Sequence, residues 1–203
     1  MRDQFVTVQI TLLSVIVALI LENLLGVLHG LESVEGTAWW IRWLSVSALA
    51  GALLSTWGGF TVLAILSTRP PSLLDFIAPF GLLVLLFQAV IGIGNNHPLQ
   101  ILLFLAAASA LAAWSLWVET RYFNTQGEEG PRVPALVQSG IAVVSLLAAG
   151  AYYTLQEQWI AVAALGLMTI TQCRNVYGIV LTWQDLFTDT ANKTSAPEEE
   201  LKK

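Results

Sequence analysis

Six long apolar runs, separated by short polar or Pro/Gly-rich breaks, set the rhythm of the chain. They cover about Phe5 to Leu28, Trp39 to Leu66, Leu73 to Ile93, Leu99 to Val118, Pro134 to Leu155 and Trp159 to Trp183. Each reaches the ~20 residues that cross ~30 Å of hydrocarbon as a helix. Water-facing helices carry a charged face at helical period, and these runs carry none. The breaks have turn chemistry. Arg69-Pro70-Pro71-Ser72, Gly94-Asn95-Asn96-His97-Pro98 and Gln126-Gly127-Glu128-Glu129-Gly130-Pro131 all stop helices through Pro and Gly. Between the fifth and sixth runs stands only Gln156-Glu157-Gln158, which demands a tight turn. The pattern predicts an all-α membrane protein: about six transmembrane helices in residues 1–187, then a disordered polar tail over 188–203. That tail carries Pro197 and Glu198-Glu199-Glu200 and has too little apolar surface to fold.

Composition strengthens this picture. The 203 residues are 56% hydrophobic and only 11% charged, against about 25% charged in a soluble domain. So few charges cannot cover a water-exposed surface; a lipid bilayer as partner removes the need. Eight Trp suit membrane interfaces, where the ring is buried and its N–H stays wet. A net charge of −5 excludes a nucleic-acid binder, which needs a basic face. The single Cys173 has no internal disulfide partner and reads as a small buried hydrophobe. The apolar run after Arg2 is too long for a signal-peptide core and reads as a retained first helix.

Lys and Arg fix the expected orientation. With six spans, one side holds Arg2, Arg69, Arg121, Arg132, Lys193, Lys202 and Lys203, and the other holds only Arg42. Basic residues stay cytoplasmic, so both termini of this cell-membrane protein are expected inside.

Rare polar residues within the runs are the candidate chemistry. Gln4, Thr7, Thr11, Ser14, Ala18 and Glu22 follow at steps of three or four and share one face of the first helix. Hydrocarbon satisfies no polar group, so this face is expected to turn inward, as helix packing or as a hydrated pathway ending at Glu22. In the sixth run Arg174 sits with Gln172, Asn175, Gly178 and Thr182. An Arg within a membrane helix needs a partner, a wet cavity or a route to the interface; Glu119 and Asp75 are the candidate partners. On the opposite side Glu22, Glu32, Glu35 and Glu157, with His29 and His97, form an acidic rim able to concentrate cations. Small residues at Ser47, Gly51 and Ser55, and an Ala-rich stretch from Ala106 to Ala113, read as helix-packing faces.

No zincin pair, nucleophile elbow or phosphate loop is present, so neither a catalytic residue, a metal nor a cofactor is assigned. Length and layout look like those of prokaryotic lysosomal-type potassium channels. Val6 and Thr7 stand where that family's first helix carries Ser-Asp after its Phe, so no residue role carries over. The expected function is a small homo-oligomeric ion channel or transport protein that favours cations. The alternative is a non-catalytic membrane anchor or regulatory subunit bound to a partner protein.

Overall fold

A computed structural model of the chain describes residues 2–30, 35–66, 73–125 and 132–194. These form six helices: α1 (Arg2–His29), α2 (Thr37–Leu66), α3 (Leu73–Gly94), α4 (Pro98–Thr125), α5 (Arg132–Leu155) and α6 (Gln158–Thr194). There is no strand among the described residues. Consecutive helices are neighbours throughout, and the two most intimate pairs are α2 with α6 and α4 with α5. The end of the bundle that holds the start of α1 and the end of α6 is called the terminal end below.

Burial is distributed as lipid requires. On α5 Leu136, Val143, Leu146 and Leu147 are among the exposed positions, while Ala135, Ile141, Ala142, Ser145 and Ala149 are buried. On α1, Val8, Leu12, Val15 and Leu19 face out. Large apolar side chains stand on the outer faces as well as in the core, which water would penalise and lipid does not. Small residues on α5 let its neighbours approach closely. Trp39, Trp40, Trp43 and Trp159 lie at the end opposite the start of α1, and Trp57, Trp114, Trp117 and Trp183 lie in the half nearer the terminal end. Along α6, Trp159 and Trp183 are about 36 Å apart at 1.5 Å per residue, a little more than a ~30 Å hydrocarbon core.

Five of the helices are long and apolar enough to cross a membrane. The sixth is the exception to the expected six. α6 is 37 residues long, but Gln172, Arg174 and Asn175 interrupt its apolar run. It also continues past 187 to Thr194, so part of the expected disordered tail is helical. No Pro or Gly intervenes before Pro197 to stop it, and Thr188 donates from its hydroxyl to the Gln184 carbonyl at 2.9 Å within that stretch. Residues 195–203 lie outside the described residues.

The turns follow from their sequences. α3 ends in a Schellman motif: the His97 N–H donates to the Gly92 carbonyl at 2.9 Å and the Asn96 N–H to the Ile93 carbonyl at 3.0 Å. Asn96 takes the left-handed conformation (φ 57°), which Asn tolerates. α5 ends more simply, with the Gln156 N–H donating to the Tyr152 carbonyl at 2.9 Å and Gln156 itself left-handed (φ 57°). That single residue turns the chain tightly enough for α6 to begin at Gln158.

α2 and α6 run parallel. Gly51 lies against Gln172 and Gly58 against Ile179, the same offset at both contacts. A Cβ on Gly51 would stand 2.7 Å from the Gln172 Cβ, so the absence of a side chain sets how closely these backbones approach.

Candidate functional site

The tight pairs α2–α6 and α4–α5 do not close on one another along their whole length. α4 and α6 barely touch, and between the pairs lies a half-enclosed cavity of about 530 Å³. Leu82 and Leu86 of α3, Leu105 of α4 and Met168 of α6 floor it near mid-bundle. Val133, Pro134 and Thr182 stand at its terminal-end limit. Beyond the floor, toward the opposite end, Leu49, Ile93, Ile101, Leu102 and Leu165 are fully buried and form one continuous core. The cavity therefore reaches from the terminal end to the middle of the bundle and stops at a packed apolar layer.

Its walls are mostly apolar with polar groups at chosen heights. α2 contributes Ser55 and Thr56, α4 contributes Ser109 and Ser115, and α5 contributes Gln138. α6 contributes Gln172, Arg174, Asn175 and Thr182. Ser115 donates to its own helix, at the Ala112 carbonyl (2.9 Å), so it makes no demand on a ligand. The Ser55 hydroxyl is buried and makes no hydrogen bond. Gln172 is only 6% exposed and its amide oxygen accepts from the Asn175 side-chain amide at 3.4 Å. Among the described lining residues Arg174 is the one charged side chain, and none is Asp or Glu.

The polar set expected on the sixth helix is thus brought together: Gln172, Arg174, Asn175, Gly178 and Thr182 all line the cavity. The partnership expected for Arg174 is not formed among the described residues. Arg174 is exposed at the cavity rather than locked in an ion pair. Glu119 is buried on α4, beyond the stretch of that helix that lines the cavity. The cavity itself separates α4 from α6, which removes the close approach an ion pair needs. The side chain of Asp75 lies outside the described residues. Cys173 is exposed, not buried as expected; it takes the outward position beside the inward-turned Gln172.

The polar stripe of α1 is placed differently from the expectation. Thr7, Thr11, Ser14, Ala18 and Glu22 are exposed, and the inward face is Gln9, Leu13, Val17, Ile20 and Leu24. The reason is local. Thr11 donates to the Thr7 carbonyl and Ser14 to the Ile10 carbonyl, both at 2.8 Å, so these hydroxyls are satisfied by their own helix. Trp57 of α2 adds an indole N–H to the Ser14 hydroxyl at 3.0 Å. The Gln4 side chain lies outside the described residues.

At the opposite end a second, wider recess of about 650 Å³ is lined by Glu22, Asn23, Gly26, Val27, Gly30, Arg42 and Gly94. Arg42 donates to the Gly30 carbonyl at 3.4 Å. The expected acidic rim therefore has a cation beside Glu22, which weakens its pull on cations. Glu35 and Glu157 are exposed there, and Glu32 lies outside the described residues. His29 bonds through Nδ1 to the Leu25 carbonyl oxygen at 2.9 Å. Among the described residues no three His, Cys, Asp or Glu cluster to hold a metal.

Sequence reasoning left out the α4 and α5 walls of the cavity. Ser109, Ser115 and Gln138 were the available signal, as isolated polar residues in otherwise apolar runs. No protein-family model, curated protein or solved structure matches the chain.

Proposed function

We propose that the chain is a membrane transport protein working from the cavity between α2–α6 and α4–α5, in a cell membrane with both termini cytoplasmic. The observation that carries this reading is one-sided enclosure. The described walls of a solute-sized space run from mid-bundle toward the terminal end, and a packed apolar layer seals it from the other. Volumes of about 300–1,000 Å³ are those of single small-molecule sites. Two helix pairs joined mainly through α5 and α6, with α4 barely touching α6, can rock about that contact, which is how alternating access moves a site from one side to the other. The excess of Lys and Arg toward the terminal end supports the cytoplasmic placement.

Rocking changes the width of the mouth. Ile65 of α2 and Val133 of α5 are exposed near the terminal end. Spin labels on Ile65→Cys and Val133→Cys, in a Cys173→Ser background, are expected to give two distance populations in liposomes, differing by several ångström. A single narrow population under all conditions would leave a static binding or anchoring subunit instead.

A channel is the second reading, carried by the exposed face of Thr7, Thr11, Ser14 and Glu22 on α1. A homo-oligomer would place that face around an axis. It ranks second because the hydroxyls of Thr11 and Ser14 are already satisfied and can sit in lipid, and because Arg42 offsets Glu22 at the far end.

A further inference from the structure

We infer that the cavity takes a single-chain anionic amphiphile, with its carboxylate or phosphate head at Arg174 and its hydrocarbon body between α2, α4 and α5. The inference names the substrate class of the transport site proposed above and rests on that reading.

Charge decides the head group. The lining carries one guanidinium and no carboxylate among its described residues, so the described wall is net positive. Arg174 has neither an ionic nor a hydrogen-bonded partner among the described residues, which leaves its fork of N–H donors available for an anion. Its depth fits the role. Arg174 lies nine positions before Trp183, or about 13 Å along the helix toward the membrane centre. An Arg there is costly unless it is hydrated, snorkelling or paired. An anionic head group arriving from the adjacent leaflet offsets that cost. The neighbouring amides of Gln172, Asn175 and Gln138 add neutral donors that suit a carboxylate or phosphate oxygen.

Apolar surface decides the body. Above the Leu82–Leu86 floor the walls include Phe60, Leu63, Val137 and Ile141. A small hydrophilic anion would leave this surface facing water. Gly59 of α2 enlarges the space, since a Cβ built there meets nothing within 4 Å. About 530 Å³ matches one chain rather than a two-chain phospholipid.

The test is binding by purified full-length protein in neutral detergent, read from the emission of a dansylated long-chain carboxylate. Blue-shifted, saturable emission is expected, with displacement by dodecyl phosphate. Its methyl ester and dodecyltrimethylammonium should bind weakly, and inorganic phosphate should not displace the probe. Arg174→Gln should weaken binding at least about tenfold, the loss of a charge-assisted hydrogen bond, and Arg174→Lys should recover part of it. Gly59 lines the cavity and a Cβ there meets nothing within 4 Å, so Gly59→Leu should occupy the space and abolish binding while the protein stays monodisperse. Wild-type affinity in Arg174→Gln, or equal binding of the ester or the cation, overturns the inference. Displacement by inorganic phosphate identifies a free-anion site and overturns it as well. Binding with an immobile mouth would remove the transport reading alone. A moving mouth without binding would remove only the amphiphile.

Discussion

Gly51→Leu is expected to lower the melting temperature of the detergent-solubilised protein by about 2–12 °C. The new Cβ would stand 2.7 Å from the Gln172 Cβ, and the next atoms it meets, the Gln172 carbonyl carbon and Cγ, are at 3.7 Å. The obstacle is the root of a side chain on a packed helix, not a flexible tip, so relief requires moving α2 away from α6. Overpacking of this kind costs about 1–3 kcal/mol or more, and each kcal/mol shifts a domain of this size by about 2–4 °C. α2–α6 is one of the two most intimate pairs, so the loss should also spread the cavity wall that α6 contributes. Gly150→Ala is the matched control. No atom lies within 4 Å of its Cβ position, and the melting temperature should hold or rise slightly. Equal melting of Gly51→Leu and wild type would refute the close α2–α6 approach.

Val143→Arg is expected to cost about 2.5–3.5 kcal/mol in membrane insertion of α5. Val143 lies at the centre of α5 and is 56% exposed. In water an exposed Val replaced by Arg changes stability by about 0.5 kcal/mol at most. The contrast is large because the two solvents treat the guanidinium in opposite ways. Glycosylation-tagged insertion assays of the α4–α5 segment, or yield of protein in the membrane fraction, read it directly. Unchanged insertion would mean that this face meets water or protein rather than lipid.

Particular residues explain what the sequence could and could not reveal. All six helices were legible because lipid demands long apolar runs and because Gly94–Pro98 and Gln156–Gln158 carry turn chemistry that the backbone then uses. The polar face of α6 was legible too: Gln172, Arg174 and Asn175 have no cheap place in hydrocarbon, and they line the cavity. The α1 stripe misled because a Thr or Ser hydroxyl in a helix can bond the preceding turn, so its presence does not demand an inward face. Gln9, which has no such short route, is the polar residue of α1 that is buried. The gap between the helix pairs was not legible. Small residues such as Ala106 and Ala108 signal close packing, but which helix they pack against, and where that packing stops, is settled only in three dimensions. Arg174 shows the same limit: its need for a partner was plain, yet the separation of α4 from α6 that denies it Glu119 is tertiary.

The one-sided cavity is tested most directly by thiol accessibility at its inner wall. Ser109 lines the cavity on α4, so Ser109→Cys in a Cys173→Ser background places one reporter there. Sealed vesicles of known sidedness would be treated with a membrane-impermeant maleimide on one side at a time, and initial rates compared. Fast labelling from the side that holds the start of α1 and the end of α6, with slow labelling from the other, is the expected result. Equal rates from both sides, or protection from both, would contradict a cavity that opens at the terminal end and is sealed by the Leu49–Leu165 layer.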